Sequence, residues 1–496
     1  MEKYILAIDQ GTTSTRTILY DKNARQVMSA QREFKQYFPQ PGWVEHDANE
    51  IWLSTLVVMT ETLQMANIKP EQIAAIGITN QRETTVVWDK KTGQPVYHAI
   101  VWQSRQSDEI CQRLKSQGKE EMIRKKTGLV LDPYFSATKL TWLFENIEGL
   151  KEKAKNKELM FGTIDSWLVY KLSGGKCHMT DVTNASRTLL YNIYENCWDK
   201  ELLELFDIDE SILPKVVSSS EIYGYTTPSH FFGKEIPIAS MIGDQQAALF
   251  GQNCFTKGKM KNTYGTGGFL LMNTGEEAIQ SQSGLLTTIA WKIGNQTLYA
   301  LEGSIFVSGS LIQWLRDGLC LFKDASETEA MACSVKDNGG VVIVPAFVGL
   351  GAPYWQDQAR GTILGLTRGV KREHLVRAAL EAMCYQSKDL ILAMEKDTQL
   401  HIDELYVDGG ATNNQFLLQC QSDILQIPVT RLKVNETTAL GAARLAGLAV
   451  GYWTMDDFSC DILATYYPKI TKELSDHMYQ RWLKAVSSCL YFQQND

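Results

Sequence analysis

The strongest constraint on the fold is a pattern that occurs three times: a short, β-prone apolar run ends in an aspartate beside glycine or glutamine. It reads YILAIDQG at Asp9, IPIASMIGDQQ at Asp244 and ELYVDGG at Asp408. Short apolar strands alternating with amphipathic helical stretches predict an α/β architecture. In open α/β sheets, ligands gather beyond the carboxyl ends of strands, where such acids converge. A weaker internal echo points to two related halves, since a Gly-Thr turn follows a β segment in DQGTTST, beginning at Asp9, and again in YGTGG, beginning at Tyr264.

A chain of 496 residues exceeds what one hydrophobic core supports, so two large domains are expected. Their boundary falls near residues 250–256, where GDQQAALFGQNCFTKG passes from a helical stretch into a polar turn, dividing the chain into residues 1–252 and 253–496. The absence of a low-complexity linker predicts an interface between the two. A formal charge of -8 argues against a nucleic-acid or anionic-membrane footprint and for small-molecule partners. The ten cysteines are scattered singly, without zinc spacing, and read as reduced residues of a cytoplasmic protein. The opening apolar run is too short for a signal peptide. The stretch covering residues 439–453 is interrupted by Arg444 and too short to span a membrane; a closely packed buried helix is expected there.

Three glycine-rich polar loops carry phosphate-binding character. In DQGTTSTR, residues 9–16, glycine admits backbone amides to an anion while Thr12 and Thr13 add hydroxyl donors. NTYGTGGF sets Thr266 between Gly265 and Gly267, and DGGATNN offers Asn414 to an adenine or ribose edge. Each loop alone reads equally well as a plain turn. No GxxxxGK[ST] loop and no protein-kinase signature is present, so phosphate binding requires another fold. For a small polyol acceptor, Arg82 beside Glu83 supplies a donor fork and an acceptor, with Tyr134 nearby and Trp102 as an apolar wall. By themselves Arg82 and Glu83 also fit a solvated surface pair.

The order and wording of these motifs, together with QPGWVEHDANEIW, GTIDSWLVYKLSGG, TNASRTLL, LEGSIFVSGSLIQWLRDGL, PAFVGLGAPYW and ETTALGAARLAGLAVGYW, resemble the FGGY carbohydrate kinase family, and within it the members from Gram-positive bacteria that phosphorylate glycerol. The resemblance runs from residue 1 to about residue 455. It implies two actin-like ATPase (ribonuclease H-like) lobes around a central cleft, ATP and Mg2+ as cofactors, and a homodimer or homotetramer. It further implies that glycerol is held by Arg82, Glu83, Tyr134, Asp244 and Gln245 between Trp102 and Phe269. The nucleotide side would use Thr12, Thr13, Ser14, Arg16, Thr266, Gly309, Gln313, Gly410 and Asn414, and Asp9 and Asp244 would position magnesium, partly through water.

In the implied reaction a terminal glycerol hydroxyl attacks the γ-phosphate in line, and Asp244 orients that hydroxyl and collects its proton late. An aspartate near its ordinary pKa of about 3.9 does not ionise an alcohol beforehand. The segment YTTPSHFFGKEIP resembles the loop that the histidine-containing phosphocarrier protein phosphorylates in Gram-positive members, which marks His230; Ser229 and Phe232 depart from its usual tyrosines. Gln415 replaces the second of two usual asparagines, and Arg444 stands where an aromatic or aliphatic residue is usual, which predicts altered packing. The last 40 residues match loosely and carry no assigned role. A pentulose kinase of the same family, or an actin-like ATPase without a small-molecule acceptor, are the competing readings.

Overall fold

The computed structural model describes residues 2–493 except 232, 357 and 460. Thirteen strands form its central sheet: β1 Tyr4–Gln10, β2 Ser14–Tyr20, β3 Gln26–Glu33, β4 Ile73–Asn80, β5 Ser220–Tyr225, β6 Pro237–Gly243, β7 Met260–Tyr264, β8 Gly268–Gly275, β9 Leu286–Ile293, β10 Gln296–Ile305, β11 Leu405–Asp408, β12 Val429–Leu432 and β13 Ile462–Tyr466. Their order across the sheet is β13-β12-β11-β7-β8-β10-β9-β5-β6-β4-β1-β2-β3. Helices used below are α1 Ala48–Met65, α2 Ile164–Leu172, α3 Ala-containing Val182–Ala185, α4 Asp244–Gly251, α5 Gly309–Asp317, α6 Arg372–Thr398, α7 Gln415–Leu425, α8 Thr437–Ala449 and α9 Lys472–Gln493.

The internal echo is realised as topology. In the first half β1, β2 and β3 pair antiparallel in succession, while β4 and then β6 add parallel on the other side of β1. In the second half β7, β8 and β10 repeat the antiparallel set, and β11 and β12 repeat the parallel one. Every residue of β1 except Asp9 is buried, as expected of a strand covered on both faces. Asp9 breaks the apolar run one residue from the strand end, at the rim where ligands meet such sheets.

The halves meet through crossed helices. α8 comes from the end of the chain yet packs on α4 and on β1, β4 and β6 of the first half. Ser240 and Ser220 hydroxyls donate to its Ala442 and Leu445 carbonyls, each at 2.7 Å. A Cβ at Gly441 would collide with the Ala247 carbonyl, and one at Gly251 with the Thr437 carbonyl, so this crossing is as close as backbone allows. The expected buried helix is therefore present. Arg444 fits it as a cap: its guanidinium donates to the Gly251 carbonyl at 2.8 Å and the Ser459 carbonyl at 3.1 Å, and lies 4.8 Å over the Phe458 ring. A cation at the carboxyl end of α4 is favourably placed against the helix dipole.

In the second half, α6 runs through the largest apolar core, and α9 closes it. Trp482 Nε1 of α9 donates to Asp389 Oδ2 of α6 at 2.8 Å, and Tyr479 donates to the other oxygen at 2.5 Å. Within the last 40 residues, α9 thus completes a core. All nine cysteines among the described residues are free, and no helix there is long and apolar enough to cross a membrane.

Candidate active site

Strand register brings the predicted acids together. Asp9 pairs with Thr79 and Gln10 with Asn80, while Gly243 also pairs with Asn80. Asp9, the Arg82-Glu83 turn and Asp244 therefore leave three adjacent strands at one rim. Asp244 opens α4, its Oδ1 accepting the Gln245 amide at 2.8 Å. Arg82 Nε lies 3.3 Å from the same oxygen.

Arg82 and Glu83, which also fit a surface pair, are both buried. The reason is a four-charge cluster assembled from distant parts of the chain. Glu302 of β10 accepts Arg82 bidentately, at 2.5 and 3.0 Å. Arg187, just after α3, donates to Glu302 Oε1 at 2.9 Å and to Glu83 Oε1 at 2.6 Å. Bidentate guanidinium-carboxylate pairing fixes both planes and so aims the remaining Arg82 nitrogen at Asp244. Burial pushes the Glu302 carboxyl up, but Arg187 and Arg82 outweigh it and hold it at about 2. Burial also raises Glu83, against the same two guanidiniums. Glu83 adopts a left-handed backbone with φ of 58°, an uncommon state for a residue with a Cβ. Its carbonyl is held there by the Ser136 hydroxyl and Lys139 Nζ, each at 3.1 Å.

Aromatic rings wall the niche beside this cluster. Trp102 meets Tyr134 edge-on at 5.6 Å and Phe269 at 6.5 Å between ring centroids. Arg82 also donates to the Tyr134 hydroxyl at 3.4 Å. Gln245 turns its Nε2 to Asp244 Oδ2 at 3.3 Å and its Oε1 to Lys261. Every residue expected at the polyol is thus in one cluster.

The nucleotide-side residues are more scattered and more open. Thr12 and Thr13 form the β1-β2 turn, closed by Gly11 N donating to Ser14 O at 2.9 Å. Ser14 accepts from Gln31, and Arg16 binds Gln31 at 2.7 Å and pairs with Glu436. Thr266 sits in the equivalent β7-β8 turn, where its carbonyl accepts the amides of Ser308 and Ser310, both at 3.0 Å, and Gly309 N donates to Gly265 O. The turn therefore rests on the amino end of α5, with Gln313 exposed one turn further on. Gly409 has φ of 91°, and a Cβ there would strike the Tyr264 backbone; one at Gly410 would meet nothing within 4 Å. Asn414 caps α7, accepting from Leu417 N at 2.9 Å, while the Gln415 side chain points outward and is exposed.

Asp9 is half-buried. Burial pushes its carboxyl up to about 7, opposed by Arg16 and reinforced by Glu436 and Asp244. Two carboxylates at one strand rim suit a hard divalent cation that completes its shell with water and phosphate oxygens. Among the described residues no group of three or more His, Cys, Asp or Glu forms a protein cage for a metal.

His230 packs between α1 and α2, its Nδ1 3.1 Å from the Lys171 carbonyl of α2 and its ring edge-on to Trp52 of α1 at 5.2 Å. Phe232, the neighbour at which the sequence departs from its resemblance, lies outside the described residues. Sequence reasoning missed Arg187, Glu302 and Lys261. The first two stand as single charges in TNASRTLL and LEGSIF, where nothing local marks them as site residues.

Comparison with known proteins gives a consistent result. The model of the N-terminal domain of the FGGY family of carbohydrate kinases matches residues 4–251, and that of the C-terminal domain matches residues 260–450. A glycerol kinase of Geobacillus sp. (strain WCH70) is 59% identical over 99% of this chain and 100% of its own length. One of Staphylococcus haemolyticus is 58% identical over the whole of both chains. A crystal structure of Plasmodium falciparum glycerol kinase with ADP superposes with a TM-score of 0.92 at 38% identity, covering 99% of this chain and 98% of that one. A xylulose kinase of Lactobacillus acidophilus shares the fold, with a TM-score of 0.87 at 23% identity over 97% of this chain and 96% of its own. With both domain models matched in order and these relatives aligned end to end, the chain belongs to the FGGY family of carbohydrate kinases.

Proposed function

We propose that this chain transfers the γ-phosphoryl group of ATP to a terminal hydroxyl of glycerol, giving sn-glycerol 3-phosphate and ADP. The observation that carries the reading is the Arg82 fork, locked by Glu302 and Arg187 and aimed at Asp244, beside a small niche walled by Trp102, Tyr134 and Phe269. A triol offers hydroxyls on a short carbon chain, which suits charged hydrogen bonds on one side and aromatic faces on the other.

Within this reading Asp244 orients the attacking hydroxyl and accepts its proton as the new P–O bond forms. Arg82, Glu83, Tyr134 and Gln245 hold the other hydroxyls. Thr12, Thr13, Ser14, Arg16 and Thr266 face the phosphates, while Gly309, Gln313, Gly410 and Asn414 border the base and ribose. Asp9 and Asp244 would hold magnesium, which when bound neutralises phosphate charge. The working division is residues 1–252 for the acceptor and first phosphate turn and residues 253–496 for the nucleotide. A cytoplasmic homodimer or homotetramer belongs to the same reading.

The decisive assay offers the purified protein ATP with glycerol, dihydroxyacetone, erythritol or xylulose. Glycerol should give the highest kcat/KM. Preference for xylulose would move the chain to a pentulose kinase, and ATP hydrolysis indifferent to every acceptor would make it an ATPase of the same fold.

We further propose His230 as the acceptor of a phosphoryl group from the histidine-containing phosphocarrier protein. A carbonyl only accepts, so the Lys171 contact holds the proton on Nδ1 in the neutral ring and leaves the Nε2 lone pair as the nucleophile. Incubation with the phosphocarrier relay should raise wild-type activity and leave His230→Ala unchanged. Equal activity with and without the relay removes the idea.

A further inference from the structure

Lys261 is wholly buried near the start of β7. An ammonium has three donors and no acceptor, and taking it out of water is costly unless its surroundings compensate. Its two hydrogen bonds go to neutral oxygens: Gln245 Oε1 at 2.5 Å and Thr263 Oγ1 at 2.8 Å. Burial pushes its pKa down, and although Asp408, Asp244 and Glu302 favour its charge through space, among the described residues none of them forms an ion pair with it. A charge placed this way is a poor stabiliser. It is well placed to orient its neighbour.

We propose that Lys261 is a positioning residue for the acceptor: by donating to Gln245 Oε1 it fixes the amide so that Nε2, and not the oxygen, faces Asp244 and the acceptor hydroxyls. The two ends of a glutamine amide have nearly the same shape and opposite hydrogen-bonding character. A donor-only neighbour removes the ambiguity. With Oε1 held by Lys261, Nε2 lies 3.3 Å from Asp244 Oδ2. In the flipped amide two oxygens would confront each other there, and Gln245 would compete with Asp244 for the hydroxyl proton. Asp244 favours the same orientation while it is free, but it is the group that a bound hydroxyl engages. Lys261 is then the partner that keeps the amide in place.

The contact also joins the two halves of the sheet. Gln245 stands at the start of α4, which follows β6, whereas Lys261 belongs to β7, the central strand of the second half. The donor character of Gln245 is thus set from across the junction.

This inference rests on Gln245 being an acceptor-binding residue, and the experiment separates the two claims. Steady-state kinetics with glycerol and ATP varied independently are measured for Gln245→Ala, Gln245→Glu, Lys261→Met and the double variant Lys261→Met/Gln245→Ala. Lys261→Met should raise the glycerol KM about tenfold while the ATP KM stays within about twofold. The double variant should bind glycerol no worse than Gln245→Ala, to within about twofold, because Lys261 acts through Gln245. Gln245→Glu keeps the shape and a partner for Lys261 but turns an acceptor toward Asp244, so its glycerol KM should exceed that of Gln245→Ala. This last comparison stands even if Lys261→Met fails to fold. Independent, multiplying effects in the double variant, an equal rise in both KM values, or a near wild-type KM for Gln245→Glu would each overturn the orienting role. An unchanged glycerol KM in Gln245→Ala would remove the reading of Gln245 itself, and the proposal with it.

Discussion

The two walls of the cleft, acceptor and nucleotide in the proposed reading, are built on different physical plans. The acceptor wall is a buried polar network: Arg82, Glu83, Arg187 and Glu302 bond one another across sequence separations of 104 to 220 residues, with Arg187 Nη1 left over. The nucleotide wall is more open, with Thr266 and Gln313 facing solvent and open space over Gly410. A small acceptor supplies little binding energy of its own, so its site must be preorganised before it arrives. A nucleotide brings phosphates and a large ring system, and turns with free amides suffice to receive them.

If this division is right, substitutions on the acceptor wall damage turnover and acceptor binding, and those on the nucleotide wall damage ATP binding alone. The largest effect is expected from Asp244→Asn. Loss of a proton acceptor lowers rates by roughly 10²- to 10⁴-fold, so kcat should collapse while equilibrium titration with ATP shows binding retained. Near-normal turnover would break the assignment. Next is Glu302→Gln, which leaves two buried guanidiniums with Glu83 as their one remaining buried carboxylate. Breaking a buried ion pair on one side costs about 3–5 kcal/mol, visible as a lower melting temperature, and the glycerol KM should rise about tenfold or more as Arg82 loses its bidentate partner. The pH dependence has a definite sign. Glu302 is held below its ordinary value, at about 2, so the pairing contributes fully above about pH 4.5 and is lost as pH falls toward 2. Glu302→Gln should remove that portion of acid destabilisation, which melting curves at pH 5, 4 and 3 would show.

The same contrast explains what was legible in the sequence. Asp9 and Asp244 stand out because each ends an apolar run, and strand direction carries them to one rim. The duplicated topology was legible in the paired Gly-Thr turns. Arg187 and Glu302 were not, because nothing local marks a single charge in TNASRTLL or LEGSIF as buried; its partner lies more than a hundred residues away. The adjacent pair Arg82-Glu83 fitted a surface reading for the same reason. Arg444 was visible as an oddity, but its task, capping the end of α4, depends on a helix crossing that no window of sequence contains. Lys261 sits beside a recognised turn and was overlooked because a lysine at a strand start is ordinarily solvated.

Smaller effects test the nucleotide wall and the seam between the walls. Gly410→Val adds a side chain where a Cβ meets no atom within 4 Å, so the melting temperature should not move. The ATP KM should rise about tenfold while that for glycerol stays within about twofold, and an unchanged ATP KM would place the base elsewhere. The smallest effect concerns Thr12, which belongs to the phosphate turn yet accepts a hydrogen bond from Trp102 Nε1 of the acceptor wall at 2.9 Å. Thr12→Val keeps the shape and removes the acceptor, leaving the half-buried indole N–H without its partner at a cost of about 1 kcal/mol. Because the bond ties one wall to the other, the KM values for glycerol and ATP should rise together, each about fivefold. A rise in the ATP value alone would mean that Trp102 needs no support from the phosphate turn, and that the two walls are more independent than this hydrogen bond implies.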